Sequence, residues 1–220
     1  MRAPTVFVVD DDISVRTALA RLFTSVGLQV ETFSGAAELL ARDLGSEHGC
    51  ILLDIKMPKT SGIELQRQLK SSGVELPVIV LSAHADIPLT VEAMREGALD
   101  VITKPFREQT LLDAVDRAMA ADEARHHERA ESQQLRLRFA MLTPREEMVM
   151  NLVVAGKRNR EVASIIGVSV KTVKVHRARV MAKMQAASLP ELVRMANRLG
   201  LPRDTPVEPD RGAQGPIDHL

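Results

Sequence analysis

The sequence predicts an α/β domain with a doubly wound parallel sheet, followed by an all-α domain. In the first half, short apolar runs alternate with helical patterns and short turns, which is typical of consecutive βαβ units. In the second half only helical patterns recur. The charge changes at the same place: residues 1–121 contain 12 Lys and Arg against 17 Asp and Glu, whereas residues 139–201 contain 11 against 4. An acidic first part and a basic second part indicate domains with different partners.

The predicted strands end in polar residues or turn residues. Four of them are continuous apolar runs, which suits strands buried on both faces of a parallel sheet. The second strand instead alternates apolar and polar residues. The five predicted strands are residues 5–9, 28–33, 50–55, 77–83 and 100–103.

Helices are predicted between the strands. Apolar positions recur at helical spacing from Ile13, and Gly27 ends this first helix. Ser34 is expected to cap the second helix, which should run to about Leu44. The next predicted helices are 61–69, 88–96 and one that begins near 107.

The helix that begins near Arg107 is predicted to continue beyond the sheet domain. Residues 120–138 contain no Gly or Pro and few apolar residues, but many good helix formers. We expect an extended helical linker over residues 122–141 between a first domain at 1–121 and a second at 142–201. At 1.5 Å per residue, residues 120–141 would span roughly 30 Å, which disfavours simple occlusion of one domain by the other.

The second domain is predicted to contain four helices. Its first helix has Thr143 as N-cap, Pro144 in the first turn and Glu146 in position for a capping box. The predicted helices are 144–155, 159–166, 169–184 and 188–199. Residues 202–220 contain four prolines and two glycines with scattered charge, and we expect this tail to be disordered.

The single cysteine, Cys50, lies in a predicted core strand and is expected to be a packing residue. One cysteine excludes an internal disulfide framework and a thiolate metal site. No apolar run approaches 18 residues, and residues 1–4 lead directly into a strand, which argues against a membrane span or a secretory signal. We therefore expect a cytoplasmic protein.

The ends of the buried strands carry residues that together suggest phosphoryl chemistry. In a parallel sheet Asp10, Asp11, Asp54, Ser82 and Lys104 would meet at the carboxyl edge, where open α/β sheets bind ligands. Carboxylates that converge repel one another and need a cation, and oxygen ligands favour Mg²⁺. A carboxylate beside such an ion can attack a phosphoryl group, with the lysine and the hydroxyl stabilising the phosphoryl oxygens.

Each of these residues also has a simpler interpretation. Taken alone, Asp54 could cap a helix or occupy a turn, and Ser82 could be a turn residue. Asp12 is expected to cap the first helix rather than to join the site. Lys104 immediately precedes Pro105 at the end of a buried strand, which argues against an ordinary surface lysine.

The set of strand-end residues resembles the receiver domain of bacterial response regulators. The resemblance covers residues 5–120 and rests on Asp10-Asp11, Asp54 with Met57-Pro58 and Ser61-Gly62, Ser82-Ala83, and Lys104-Pro105. It implies a flavodoxin-like five-stranded sheet of order 2-1-3-4-5.

The resemblance also implies roles for individual residues. Asp54 would be the phospho-acceptor of a sensor histidine kinase. Asp11, Asp54 and the backbone carbonyl of Lys56 would bind Mg²⁺ with help from Asp10, and the Lys104-Pro105 bond would be cis. The family usually has Phe or Tyr three residues before the lysine, where this chain has Val101. Val101 cannot act as an aromatic switch at that position, so the response to phosphorylation must run through Ser82 and the helix after it.

A basic helix dominates the second domain. It follows a short helix and a Gly167 turn, which together predict a helix-turn-helix whose second helix enters the DNA major groove. No acidic residue lies between Ser169 and Met184. The simpler interpretation of this helix is a solvated basic face. The chain has no Trp or Tyr for base stacking, so duplex DNA is the better partner. The basic residues expected to meet DNA are Lys171, Lys174, Arg177, Arg179 and Lys183.

Residues 142–199 are similar to the LuxR-type helix-turn-helix domain. The segment from Thr172 to His176 is the strongest part of this resemblance, and with the receiver it indicates the NarL/FixJ class, most like its FixJ and styrene-catabolism regulators. The resemblance adds Thr172, Val175 and His176 to the expected DNA-binding residues and points to Lys174 and Val175 as base readers. Arg177 or Lys183 is expected to contact the DNA backbone. His176 fits a phosphate contact as well as a packing residue. Ala178 stands where relatives often have a basic residue, so the target sequence does not carry over.

The expected function is a phosphorylation-activated transcription regulator of a two-component system, and not an enzyme beyond slow self-hydrolysis of its acyl phosphate. Phosphorylation should promote homodimerisation through a face formed by residues 83–97, 100–103 and 107–119, with RNA polymerase as a further candidate partner. The alternative is an aspartyl-phosphate phosphohydrolase. Those enzymes carry a second Asp two residues after the nucleophile, where this chain has Lys56.

Overall fold

The structure, a computed structural model, describes residues 3–45, 47–58, 60–82 and 87–201. The chain forms two compact units, Met1–His127 and Glu128–Leu220. The expected disordered tail at 202–220 and part of the expected dimerisation face, residues 83–86, lie outside the described residues. Within the described ranges, none of the helices combines the length and apolarity needed to cross a membrane.

The first unit is built on a five-stranded sheet in which all neighbours are parallel, in the order β2-β1-β3-β4-β5. This confirms the predicted fold class and strand order. The strands are β1 (Thr5–Val9), β2 (Gln29–Phe33), β3 (Gly49–Asp54), β4 (Val78–Ser82) and β5 (Asp100–Thr103). The helices that connect them are α1 (Ile13–Ser25), α2 (Ala36–Leu40), α3 (Gly62–Ser71) and α4 (Ile87–Arg95).

Alternate residues of the central strands pack into two separate cores, one on each face of the sheet. On one face Ile51 and Leu53 of β3 belong to a cluster with side chains of α2, α3 and α4. On the other face Cys50 and Leu52 pack with α1 and with the start of the last helix of the unit. This explains the unbroken apolar runs, because both faces of β1, β3 and β4 are buried. Burial raises the pKa of the Cys50 thiol to about 12, which agrees with its predicted packing role.

The predicted helix from Ser34 to about Leu44 is wrong in its length and its cap. α2 ends at Leu40, and Gly35 occupies the N-cap position. Glu38 accepts hydrogen bonds from the backbone N–H and the hydroxyl of Ser34, at 2.7 and 2.9 Å, so Ser34 is a donor here instead of the accepting cap. At the other end, the Arg42 side chain turns toward Glu31 and Glu47, and a turn replaces the last helical residues.

A single helix, α5 (Glu108–Ala140, 33 residues), begins in the first unit and continues into the second. The remaining helices are α6 (Pro144–Val154), α7 (Asn159–Ile166), α8 (Val170–Met184) and α9 (Leu189–Arg198). Thr143 and Glu146 form the predicted capping box at α6, and Gly167 ends α7 in the left-handed conformation that favours glycine. Two apolar clusters hold these helices together, and Leu135 of α5 belongs to one of them.

Candidate functional site

The carboxyl edge of the sheet gathers the polar residues predicted from the strand ends. Asp10 directly follows β1, Asp54 and Ser82 are the last residues of β3 and β4, and Lys104 follows β5. Because the strands are parallel, these ends share one edge. Asp10, Asp54 and Ser82 are buried, Lys104 is partly buried, and Asp11 is exposed. The edge is therefore a polar site with one open side.

Lys104 links the ends of several strands. Its Nζ atom lies 2.7 Å from Oδ2 of Asp10 and 3.5 Å from Oδ2 of Asp54. Its backbone N–H donates to the carbonyl oxygen of Ser82 at 2.6 Å. The Lys104-Pro105 peptide bond is cis, as the resemblance implied. Lys104 thus supplies one positive charge to two buried carboxylates.

The surroundings of Asp10 fix its orientation. Its Oδ1 accepts from the Asp12 backbone N–H at 2.9 Å, and its carbonyl accepts from Arg16 Nη1 at 2.6 Å. Asp12 caps α1 through the Ser14 N–H at 2.7 Å, as predicted. Both carboxylate oxygens of Asp10 therefore have donors, one from the backbone and one from Lys104.

Asp54 is held in an environment that opposes its charge. Burial raises the pKa of its carboxyl above the ordinary value of 3.8, and the nearby Asp10 carboxylate adds to this increase, while Lys104 acts in the opposite direction. The Lys56 N–H points to Oδ1 of Asp54 at 3.5 Å. A further cation at this carboxylate would be favourable.

Three carboxylates can supply the ligands for such a cation. One oxygen each of Asp10, Asp11 and Asp54 lie within 4.8 Å of one another. Oxygen donors with one open side fit Mg²⁺, which keeps part of its water shell and uses few protein carboxylates. Lys56 lies two residues after Asp54, in the cleft that Asp11 also lines, and its carbonyl remains a predicted ligand.

One residue that positions Asp54 was not recognised as such from the sequence. The Gly62 N–H donates to the carbonyl of Ile55 at 3.0 Å, and a Cβ at Gly62 would lie 2.5 Å from the Asp54 carbonyl oxygen. Only glycine lets the start of α3 pass this close to the end of β3. Ser61 caps the same helix through the Glu64 N–H, and the Ser-Gly pair was the signal that could have identified this contact.

The second unit contains the predicted helix-turn-helix. α7 ends at Gly167, Ser169 caps α8 through the Thr172 N–H, and the exposed side of α8 carries Lys174 and Val175, the latter 46% exposed. Exposed or partly exposed residues include all the predicted DNA contacts: Lys171, Thr172, Lys174, Val175, His176, Arg177, Arg179 and Lys183.

Some of these predicted DNA contacts have partners within the protein. Arg177 Nη1 donates to Asn159 Oδ1 at 3.0 Å, and Lys183 Nζ donates to Glu146 Oε2 at 2.5 Å. A role for Lys183 at DNA would require this ion pair to open. His176 Nδ1 is buried and has no hydrogen-bond partner among the described residues, which favours packing for that atom.

The Lys183–Glu146 pair joins α8 to the capping box of α6. Glu146 is buried, and its Oε2 also accepts from the Thr143 N–H at 2.9 Å. The hydrogen bond from Lys183, with that from Thr143, lowers the pKa of Glu146 from its ordinary 4.5 to about 2. The basic helix is thus fixed to the first helix of the domain.

Fold and site together define a receiver-like α/β domain joined to a helix-turn-helix domain, and comparison with known proteins agrees. The response regulator receiver domain family matches residues 6–116, and the luxR family of bacterial regulatory proteins matches residues 140–196. Nodulation protein W of Bradyrhizobium diazoefficiens is 44% identical over 196 residues, which cover 89% of this chain and 86% of that protein.

Further relatives match over nearly the whole chain. The transcriptional regulatory protein FixJ of Bradyrhizobium diazoefficiens is 39% identical and covers 90% of this chain and 97% of its own length. The solved structure of the response regulator StyR has a TM-score of 0.80 and 43% identity, and covers 90% of this chain and 100% of that chain. The chain therefore belongs to the two-component response regulators with a LuxR-type DNA-binding domain. The alternative interpretation of the chain as an aspartyl-phosphate phosphohydrolase is therefore rejected.

Proposed function

We propose that Asp54 accepts a phosphoryl group from a sensor histidine kinase and that this modification activates DNA binding. An Asp54 oxygen attacks the phosphorus of the kinase phosphohistidine; the new O–P bond forms as the N–P bond breaks, and the imidazole leaves. The observation that carries the proposal is the position of Asp54 at the end of β3, with Lys104 Nζ 3.5 Å away and two further carboxylates beside it. When bound by Asp10, Asp11 and Asp54, Mg²⁺ would offset the negative charge of the transferred group.

The residues around Asp54 can also stabilise its phosphorylated form. Lys104 is close enough to pair with phosphoryl oxygens, and the Ser82 hydroxyl at the end of the neighbouring strand can donate to them. Attack of water on the acyl phosphate would return Asp54 and inorganic phosphate, so the protein resets itself slowly without being an enzyme for another substrate.

Dimerisation is the proposed link between the phosphoryl group and DNA. Ile87, Val91 and Met94 follow one another at i, i+4 and i+7 along α4, and 73%, 42% and 47% of their surfaces are exposed. This spacing forms one apolar stripe on one helix face. α4 is the next helix after β4, which ends in Ser82, so we propose that a shift of Ser82 toward a phosphoryl group changes the position of the stripe.

We propose that a second copy of the receiver covers this face, which comprises residues 83–97, 100–103 and 107–119. The sheet ends at β5 on this side, next to α4, so the edge strand adds to the surface available to a partner. A dimer would hold two basic helices for DNA half-sites about one helical turn apart. Such a regulator works in the cytoplasm, where its operator lies, and RNA polymerase is a further proposed partner.

The decisive experiment compares self-association and DNA affinity in the same preparations. Sedimentation of the full chain with and without beryllofluoride, a phosphoryl mimic, should show that activation raises the dimer fraction and the operator affinity together. A protein that stays monomeric at concentrations where it already binds its operator tightly would contradict dimerisation and would return occlusion by the receiver as the explanation.

A pair of variants tests whether a charge in the α4 stripe, and not an added surface charge elsewhere, prevents dimerisation. Met94→Glu should prevent activated dimerisation, because it places a carboxylate in the apolar stripe. Val26→Glu introduces the same charge at an exposed apolar residue after α1, and should dimerise like the wild type. Equal loss of dimerisation in both variants would mean that the stripe is not the interface.

A further inference from the structure

A second cluster of potential ligands lies at the edge of the sheet opposite Asp54. His48 directly precedes β3, and Asp122 and His126 lie on α5, all within the first unit. One ligand atom from each of the three side chains falls within 4.8 Å of the others. The cluster is remote in the fold from the carboxylates at the other end of β3, and none of the phosphoryl chemistry uses it.

The sequence spacing on α5 directs two of the ligands to one place. Asp122 and His126 are four residues apart, so they occupy the same face of the helix on successive turns. His126 Nε2 lies 3.6 Å from Asp122 Oδ1, and His48 Nδ1 lies 3.6 Å from Asp122 Oδ2. The two imidazole rings are tilted against each other, with centroids 3.6 Å apart and planes inclined by 35°. Two nitrogens therefore approach one carboxylate from neighbouring positions.

The nitrogen–oxygen separations are longer than direct hydrogen bonds and fit ligands around an ion. The ring centroids lie closer than the roughly 5 Å expected for two imidazoles on one tetrahedral ion, so the rings must move apart when the ion binds. Hydrogen bonds from nitrogen to oxygen have lengths of about 2.7–3.2 Å. Ligands of a tetrahedral zinc ion lie about 2.0–2.2 Å from the metal, which places them roughly 3.3–3.6 Å from one another. The two nitrogen–oxygen distances of 3.6 Å lie at the upper end of that range.

The carboxylate in the middle is already oriented. Asp122 is only 4% exposed, and its Oδ2 accepts from the Gly49 N–H at 3.0 Å. A backbone donor to a metal-binding carboxylate fixes the ligand before the ion arrives. A buried carboxylate also needs a compensating charge. One divalent cation bound by the carboxylate and both imidazoles would supply that charge.

We propose that His48, Asp122 and His126 bind a divalent transition-metal ion, of which Zn²⁺ is the representative. Two imidazole nitrogens and one carboxylate select such an ion over Mg²⁺, which prefers oxygen ligands. The partly exposed histidines leave the remaining position open to water. The bound ion would tie the residue before β3 to α5, and thereby stabilise the first unit where α5 leaves the sheet.

The test is a calorimetric titration of the full chain with Zn²⁺ in millimolar Mg²⁺, which occupies the carboxylates near Asp54. The wild type should bind one Zn²⁺ at this cluster, and its Tm should rise because the ion binds only the folded state. His48→Gln and His126→Gln should each weaken zinc binding by at least about tenfold and abolish the rise in Tm. Asp122 is left unchanged, because its loss would also leave the Gly49 N–H without its acceptor.

Two further variants distinguish this site from other zinc ligands. His127→Gln removes an exposed histidine one residue along α5 and should bind zinc like the wild type. The double variant Asp11→Asn, Asp54→Asn removes carboxylates of the Mg²⁺ cluster and should also retain zinc binding. Wild-type affinity in His126→Gln, loss of binding in the double variant, or no zinc binding by the wild type would each overturn the proposal.

Discussion

The ammonium group of Lys104 lies 2.7 Å from the carboxylate of Asp10, although the two residues follow strands that are not neighbours. β3 and β4 lie between β1 and β5, so the lysine reaches across two strand ends. Asp54 ends one of the strands that it crosses, and its carboxylate lies farther from the ammonium, at 3.5 Å. In this state the lysine mainly neutralises Asp10, and its positive charge competes with that of a metal ion at these carboxylates.

The first prediction concerns that competition. Replacing Lys104 by Gln removes the positive charge next to Asp10 and Asp54, so Mg²⁺ should bind more tightly. At an effective dielectric constant of about 20, an ammonium and Mg²⁺ a few ångströms apart repel by several kcal/mol, so we expect a gain of at least about tenfold in affinity. Isothermal titration of both proteins with Mg²⁺ measures it.

Lys70→Gln, in the last turn of α3, is the matched control, since it makes the same charge change away from the site. It should bind Mg²⁺ like the wild type. If Lys104→Gln bound Mg²⁺ with unchanged or lower affinity, competition between the ammonium and the ion would be disproved.

The second prediction concerns the close approach of α3 to the phospho-acceptor strand. In Gly62→Ala the new Cβ would meet the Asp54 carbonyl oxygen at 2.5 Å and the Ile55 Cα at 2.9 Å, so the backbone must move. We expect a loss of about 1–3 kcal/mol of unfolding free energy, typical of overpacked sites, and slower phosphorylation by acetyl phosphate. Urea unfolding and intact-protein mass spectrometry measure the two effects.

Gly35→Ala provides the comparison for this variant. Gly35 is also an N-terminal helix residue, but its backbone is extended and a Cβ there would meet no atom of the described residues within 4 Å. Its stability and phosphorylation should remain close to those of the wild type. Equal effects of the two substitutions would show that the contact with Asp54 is not what matters.

The buried strands were predictable because their sequence pattern reports burial directly. Residues such as Ile51 and Leu52 point to opposite faces, and only a sheet covered on both sides buries both. The polar residue at the end of each strand then marks one edge, which brought Asp10, Asp54 and Lys104 together from sequence alone. Side-chain spacing along the chain could not give the distances between them.

The errors and omissions have a different origin. Serine is a common helix N-cap, but here Ser34 donates its hydrogen bonds to Glu38. Whether a serine caps a helix or donates to a nearby carboxylate depends on the direction of one side chain. The cluster of His48 with Asp122 requires a pairing between residues 74 positions apart along the chain. No local pattern encodes such a contact, whereas the spacing of Asp122 and His126 was visible but carried no signal without its partner.

The third prediction is a pH dependence of the second unit. The pKa of Glu146 is lowered in the folded protein, to about 2 from 4.5. A carboxyl with a lowered folded-state pKa stabilises the fold above the unfolded-state value, and that stabilisation is lost as the pH falls from about 4.5 to about 2. The Tm difference between the wild type and Glu146→Gln should therefore be constant above pH 5 and shrink below it.

Calorimetry at several pH values tests this dependence, and Glu147→Gln controls for the loss of one acid from the same helical turn. We expect Glu147→Gln to show a much smaller difference at neutral pH, because Glu147 is less buried than Glu146. A difference between the wild type and Glu146→Gln that persisted unchanged down to pH 2 would contradict the role assigned to the Lys183–Glu146 pair.

The last prediction separates base reading from phosphate contacts on α8. Lys174 is exposed, and beside the exposed Val175 it faces outward from the helix-turn-helix, whereas Lys183 is paired with Glu146. Lys174→Ala should relax the selected DNA motif at one position, which corresponds to a loss of roughly 1–3 kcal/mol of discrimination. Arg179→Ala, also at an exposed residue, should instead weaken binding to all sequences and lower the salt dependence by about one phosphate contact. Lys183→Ala should chiefly lower the Tm, because it leaves the buried Glu146 carboxylate without its cation.

In vitro selection of binding sites, titrations at several salt concentrations and calorimetry on the three variants measure these effects. An unchanged motif for Lys174→Ala would place base reading on other residues of the helix, and a relaxed motif for Lys183→Ala at unchanged Tm would move Lys183 from the α6–α8 contact to the DNA.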